Sequence, residues 1–188
     1  DIHSHILYGI DDGAKSLEES IEILKKANTR GVTDIILTPH YVADSIYTSS
    51  IKENKIILKK LKQELKKEQI NINLYLGNEV YVDESLSSSL SNISTLNNSR
   101  YILIEFPMNN KCLNLEEVLY QLKKEKLIPI IAHPERYSYY YKDYLFFEKL
   151  IQQGCLLQGN IGSLYGDYGK KSQKMIKALL KRGMIQFI

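Results

Sequence analysis

The chain has 188 residues, 44% hydrophobic and 25% charged, which suits one globular domain over 1–188 with enough apolar material for a core. Basic residues exceed acidic ones by 25 to 22, a net charge of +3, and no dense basic run with interleaved aromatics is present, so there is no electrostatic case for nucleic acid. No apolar run approaches the roughly eighteen residues of a membrane span. The two cysteines, Cys112 and Cys155, make no disulfide framework, and no signal peptide is visible, although the chain opens on Asp1 rather than Met. Together these point to a cytoplasmic protein.

In chain order, Asp1-Ile2-His3-Ser4-His5 reads as the end of a first strand. Leu17, Ile21, Leu24 and Ala27 recur at helical spacing, with Ser16 and Glu19 as a capping box and Gly31 as a C-cap. A strand is expected over 33–38, then a second helix over 51–68 opened by Ser50 and Glu53. Strands at 72–77 and 101–106 flank a Ser- and Asn-rich stretch, 85–99, read as a loop with one helical turn. Leu115, Val118, Leu119 and Leu122 form a helix face opened by Asn114 and Glu117. A strand at 128–132 precedes a helix on Leu145, Phe146, Leu150 and Ile151, closed by Gly154. A strand at 155–159, a helix on Met175, Ile176, Leu179 and Leu180 closed by Gly183, and a last strand at 185–188 complete the pattern. The run from Tyr137 to Tyr144 reads as a half-buried helix start, the alternative being an aromatic platform for a substrate ring.

Such alternation implies a parallel sheet with crossover helices. An open dinucleotide-type sheet would need a Gly-rich turn after its first strand. His-Ser-His stands there instead, which favours a seven-stranded β/α barrel, although 188 residues is short for one. In such architectures the C-terminal strand ends carry the chemistry. All four histidines fall there: His3 and His5, then His40 in Thr38-Pro39-His40, then His133 in His133-Pro134-Glu135-Arg136. Glu79 and Glu105 occupy matching places on the third and fourth strands. Two imidazoles two residues apart on a strand share a face and suit a common ion. Glu105 lies in an apolar strand, where a metal, or a partner such as Arg100, would offset the cost of burial. Each residue alone has an ordinary reading: a hydrogen-bonding His, a salt-bridged Glu, a turn at Asp11-Asp12-Gly13. Their joint placement on one rim points to a polynuclear metal site with mixed N and O ligands.

These residues resemble the polymerase and histidinol phosphatase (PHP) family, and within it the bacterial capsule and exopolysaccharide tyrosine phosphatases. The matching stretches are Asp1-Ile-His-Ser-His-Ile, Asp11-Asp-Gly-Ala-Lys, Thr38-Pro-His, Gly77-Asn-Glu, Tyr101-Ile-Leu-Ile-Glu-Phe-Pro, Ile131-Ala-His-Pro-Glu-Arg-Tyr and Gln158-Gly-Asn-Ile-Gly-Ser-Leu-Tyr-Gly. The resemblance implies a distorted, TIM-like seven-stranded β/α barrel with three divalent metals, manganese favoured and iron, zinc or magnesium admitted. It implies that His3, His5 and Glu79 hold one metal, that Glu79 bridges to a second held with Glu105 and His133, and that Asp12 and His40 help hold a third. Arg136 would bind substrate phosphate. The family supplies a further Asp, His and Arg after strand seven, so the barrel is expected to be cut short at Ile188. The implied activity is hydrolysis of phosphotyrosine by metal-activated hydroxide, on a kinase with a Tyr-rich tail in polysaccharide export. The cysteines fit this, because a thiolate tyrosine phosphatase needs Arg six residues after its Cys, where Val118 and Ile161 stand. The rival readings are a histidinol phosphatase or nuclease of the same family, and a metal-binding module without catalysis.

Overall fold

The computed structural model describes residues 1–43, 45–48 and 50–188, the side chain of Ser87 excepted. In chain order the elements are α1 (Leu17–Thr29), β1 (Asp34–Leu37), β2 (His40–Tyr41), α2 (Ile51–Lys67), β3 (Asn73–Leu76), β4 (Glu79–Tyr81), α3 (Leu86–Ser89) and β5 (Tyr101–Glu105). There follow α4 (Leu115–Lys124), β6 (Ile128–Ala132), α5 (Tyr144–Gln152), β7 (Leu156–Gln158), α6 (Ile161–Tyr165) and α7 (Gly169–Lys181), with 3-10 turns at Leu90–Asn92, Leu96–Asn98 and Pro134–Arg136. The chain forms two compact units, Asp1–Val80 with Ser88–Ile102, and Tyr81–Ser87 with Leu103–Ile188.

In the first unit β1 pairs parallel with β3, and β2 parallel with β4. Alternation along β1 buries Ile35 and Leu37 against Leu24 of α1 and Leu61 and Leu65 of α2. Both helices begin where the sequence indicates: the Ser16 and Ser50 hydroxyls accept from the Glu19 and Glu53 N–H groups, and at Ser50 the capping box closes in both directions. The opening segment is not a regular strand, yet it lies alongside β1. Ile36 N–H donates to the Asp1 carbonyl at 2.9 Å and Thr38 N–H to the Ser4 carbonyl at 2.8 Å. The two- and three-residue strands β2 and β4 were not expected. They form as the chain leaves β1 and β3, tied by Glu79 N–H to the Pro39 carbonyl and by the buried Asn78 amide to the same oxygen.

In the second unit β5, β6 and β7 lie in that order, β6 and β7 parallel. The closing segment makes a single parallel bridge, Gln158 to Phe187, in place of a full strand. Asn114 opens α4 without a side-chain cap, whereas Asp143 caps α5. The tyrosine run is half-buried as expected but forms turns ahead of α5 rather than the helix start, with Tyr137 and Tyr140 as buried anchors. The Tyr137 hydroxyl accepts from Phe106 N–H and donates to the Ala132 carbonyl, and the Tyr140 hydroxyl accepts from Cys112 N–H. Tyr140 stacks on Phe146 with ring centres 4.0 Å apart. Tyr139 is 54% exposed, Tyr141 lies under the Lys142 ammonium and Tyr144 under the Arg182 guanidinium.

Candidate functional site

In the first unit the extended opening segment aims His3 and His5 to one side, and their Nε2 atoms stand 3.2 Å apart. The turn after it is laid against His5, with Ala14 N–H donating to the His5 carbonyl at 3.0 Å. That approach requires Gly13, because a Cβ there would collide with the His5 carbonyl and Cβ. The turn delivers Asp11 inward and Asp12 outward. Asp11 is buried; its Oδ2 accepts from His5 Nδ1 at 2.7 Å and from the His40 N–H at 2.9 Å, and its Oδ1 from the Gly13 N–H at 3.0 Å. The β2–β4 pairing sets His40 opposite Glu79. Glu79, 1% exposed, then receives three imidazoles at one oxygen. His3 Nε2 and His5 Nε2 lie 3.1 Å from its Oε2, and His40 Nδ1 lies 3.2 Å away. His40 Nε2 is 3.5 Å from Asp12 Oδ1.

This donor set fits divalent cations. Ligand atoms about 2.1 Å from one ion, at angles of about 90–110°, stand roughly 3.0–3.4 Å apart, and the spacings around Glu79 Oε2 and between the two Nε2 atoms are 3.1–3.2 Å. Within the first unit, two groups of described residues have ligand atoms mutually within 4.8 Å: His3, His5 and Glu79, and His5, Asp12 and His40. Neutral imidazoles with carboxylates suit Mn, Fe, Zn and their neighbours. The electrostatics point the same way. Burial works against the charged form of His5, but hydrogen bonds and charge from Asp11 and Glu79 override it and push the imidazole up to about 10. Burial also opposes the charged Asp11 carboxyl, yet the His5 contact and the His40 and Gly13 donors hold it below its ordinary range. Desolvation lowers His40, only partly opposed by Glu79. Clustered anionic charge that draws protons onto imidazole is the environment in which a cation can take the proton's place.

In the second unit Glu105 ends β5 and His133 follows β6, with His133 Nε2 3.5 Å from Glu105 Oε1. His133 is 1% exposed and held in the left-handed region at φ 31°, a strained conformation for a residue with a Cβ. The 3-10 turn that follows carries Glu135 inward and Arg136 outward. Glu135 Oε1 accepts from Asn160 N–H at 2.9 Å and from the Ser163 hydroxyl at 2.7 Å, while its buried Oε2 has no partner among the described residues. Burial raises the Glu135 carboxyl, only partly opposed by Ser163 and Asn160. The Arg136 guanidinium lies over the Tyr168 ring, 4.4 Å from its centre.

The structure thus brings His3, His5, Asp12, His40 and Glu79 together in the first unit, and Glu105 with His133 in the second, where Arg136 occupies the same turn. Sequence reasoning gave no role to Asp11, Glu135 or Tyr168. The doubled Asp before Gly13 was the one signal for Asp11; which of the two carboxylates turns inward depends on the His40 backbone, 29 residues away.

A mixed α/β fold with parallel strand pairs and clustered His and carboxylate side chains defines a candidate metal-binding protein. The chain belongs to the CpsB/CapC family of capsular polysaccharide synthesis, whose model matches residues 1–188. CapC of Staphylococcus aureus is 38% identical over 190 residues, covering all of this chain and 74% of that protein. YwqE of Bacillus subtilis, a tyrosine-protein phosphatase, is 32% identical over all of this chain and 74% of its own length. CpsB of Streptococcus agalactiae, also a tyrosine-protein phosphatase, is 29% identical, with 80% of its length covered. Crystal structures of YwqE and of Streptococcus pneumoniae CpsB, described as unique metal-dependent tyrosine phosphatases, include a chain that superposes with a TM-score of 0.93 at 32% identity, over 100% of this chain and 76% of that one.

Proposed function

We propose that this protein is a metal-dependent protein-tyrosine phosphatase of capsular polysaccharide synthesis, a PHP-type phosphoesterase whose strands close into a distorted seven-stranded barrel. The observation that carries the reading is the convergence of His3, His5 and His40 on one oxygen of Glu79, in a chain whose relatives are tyrosine-protein phosphatases. The residues that would hold the ions are His3, His5, Asp12, His40 and Glu79 in the first unit, and Glu105 and His133 in the second. The family resemblance implies three ions with manganese favoured, and the mixed imidazole and carboxylate donors admit Mn, Fe, Zn or Mg. When bound, divalent cations neutralise phosphoryl oxygens and lower the pKa of water.

The chain's own residues prepare that chemistry. Asp11 accepts the hydrogen bond of His5 Nδ1–H, which leaves Nε2 as the ligand atom and fixes the ring's orientation. Asp11 also holds the His40 backbone, so one buried carboxylate positions two ligands. Glu135 ties the His133–Arg136 turn to the start of α6. Arg136, steadied on Tyr168, offers a planar donor fork to the substrate phosphate. Cys112 and Cys155 are buried, and burial pushes their thiols up to about 11 and about 12, which removes them as thiolate nucleophiles. The substrate we assign is phosphotyrosine in the Tyr-rich tail of a cytoplasmic kinase of polysaccharide export. In the full-length protein, Glu79→Gln should lower bound metal, read by elemental analysis, together with hydrolysis of a phosphotyrosyl peptide. Unchanged metal content and rate would overturn the ligand set.

A further inference from the structure

The first unit carries a charged surface that the metal chemistry does not use. Helix α2 spans 17 residues, and Lys52, Lys55, Lys59, Lys62 and Lys66 are all exposed on it. Their spacing of three, four, three and four places them in one stripe along the helix. At 1.5 Å per residue the stripe is about 21 Å long. Among the described residues none of the five has a carboxylate within ion-pair distance: Glu64 is taken by Lys67, and Glu68 by Lys25. Adjacent like charges at these spacings destabilise a helix, so the stripe works against the helix's own stability.

The stripe also has a direction. Lys52 lines a polar cavity of about 590 Å³ with Tyr41, Thr48, Ser50, Ser89 and Asn92. Tyr41 directly follows His40 on β2, and the ring of Tyr47 lies 5.7 Å from that of His40. Lys52 therefore joins the stripe to this cavity, one wall of which is the β2 residue next to His40, and the other lysines continue from it along α2. A lipid surface is the less suitable anion here. The apolar face of α2, with Leu61 and Leu65, is buried in the core and is not available for insertion.

We propose that the cavity and the α2 lysine stripe form a track for an acidic peptide segment flanking the substrate phosphotyrosine. The proposal rests on the phosphatase reading above and deepens it: the preferred substrate is an extended, acidic or multiply phosphorylated stretch. At about 3.3 Å per residue, the stripe matches some six residues of extended chain. Long-range attraction of this kind raises capture more than turnover and weakens with salt.

The test uses the full-length, metal-loaded protein and a Lys55→Glu, Lys59→Glu, Lys62→Glu variant. The probes are a synthetic acidic peptide with a single phosphotyrosine, the same peptide with its acidic residues replaced by Ser, and para-nitrophenyl phosphate. The variant should raise KM for the acidic peptide roughly tenfold with kcat unchanged. The Ser peptide and para-nitrophenyl phosphate, which is too short to reach the stripe, should be hydrolysed as by the wild type. The wild type's preference for the acidic peptide should fade as ionic strength rises past about 0.15 M, and the variant should show no such fading. The reversals turn two of the four Lys–Lys pairs into Lys–Glu pairs and the other two into Glu–Glu pairs, so the thermal midpoint should hold or rise, which separates lost capture from lost fold. Equal response of the acidic and Ser peptides would overturn the track. So would loss of binding to phosphatidylserine vesicles with KM for the acidic peptide unchanged. If the wild type hydrolyses no probe, the phosphatase reading fails, and fluorescence anisotropy of the acidic peptide on both proteins still decides the track.

Discussion

Glu135 offers a quantitative test of how the turn bearing His133 and Arg136 is held. Its carboxylate is 3% exposed and accepts at Oε1 from a backbone N–H, that of Asn160, and from the fully buried Ser163 hydroxyl. Glu135→Ala leaves both donors without their acceptor. At about 1–3 kcal/mol for each stranded donor, the loss is about 2–6 kcal/mol. For a chain of this length that corresponds to a fall in Tm of roughly 4–24 °C. Glu135→Gln keeps an oxygen in the Oε1 position and should stay within about 1 kcal/mol of wild type. The two proteins should also differ in pH dependence. Burial raises the Glu135 carboxyl above its ordinary value of 4.5. A carboxyl raised in the folded state binds a proton there that the unfolded chain has lost, so its contribution falls as pH rises from 4.5 through the folded pKa. The Gln variant has no such proton and should gain on the wild type across that window. Urea unfolding of all three proteins from pH 4 upward measures both effects. An Ala variant as stable as wild type, or a Gln variant as damaged as the Ala variant, would refute the claim that Oε1 and its two donors hold the turn.

Arg136→Ala should lower kcat/KM for a phosphotyrosyl peptide by roughly ten- to a few hundred-fold, from about 1.5–3 kcal/mol for a charge-assisted bond, with metal content unchanged. Tyr168→Ala should cost several-fold and nothing further in an Arg136→Ala background, since the ring acts through the guanidinium above it; an equal cost in both backgrounds would separate the two residues. With thiols raised to about 11 and about 12, at most about one molecule in a thousand carries a thiolate at pH 8, so iodoacetamide should label the native protein only on unfolding; prompt labelling would contradict the burial. Asn54, in α2, is 1% exposed with neither amide atom partnered among the described residues, and Asn54→Leu should raise stability by about 1–2 kcal/mol in urea unfolding; a loss would mean that the site rejects the apolar side chain.

What could be read from the sequence was what repeats over several residues or sits at an element's end. The capped starts of α1 and α2 were legible because Ser16 and Glu19, and Ser50 and Glu53, lie three residues apart. The strand-end histidines were legible because β1 and β6 are apolar runs long enough to show where they stop. Strands β2 and β4 were not, because two or three residues carry no period, and their pairing depends on Asn78, whose amide donates to the Pro39 carbonyl and whose oxygen accepts from Ser94 N–H. Yet this short pairing is what sets His40 opposite Glu79.

The same distinction separates the residues that contact a cation from those that support them. His3 and His5 announce themselves by spacing, since alternation alone puts both rings on one side. Glu135 has no local signature, because its partners lie 25 and 28 residues away, and Asp11 has only the doubled Asp before Gly13, because the His40 backbone that selects it lies 29 residues away. Each nevertheless fixes something local reading takes for granted. Without Asp11 the His5 ring has no reason to present Nε2 rather than Nδ1 to Glu79. Without Glu135 the turn after the strained His133 has no buried anchor to α6. A conformation at φ 31° persists only where the surroundings over-determine it, and here they do so from both sides: the Tyr137 hydroxyl bonded to the Ala132 carbonyl just before His133, and the Glu135 carboxylate just after it.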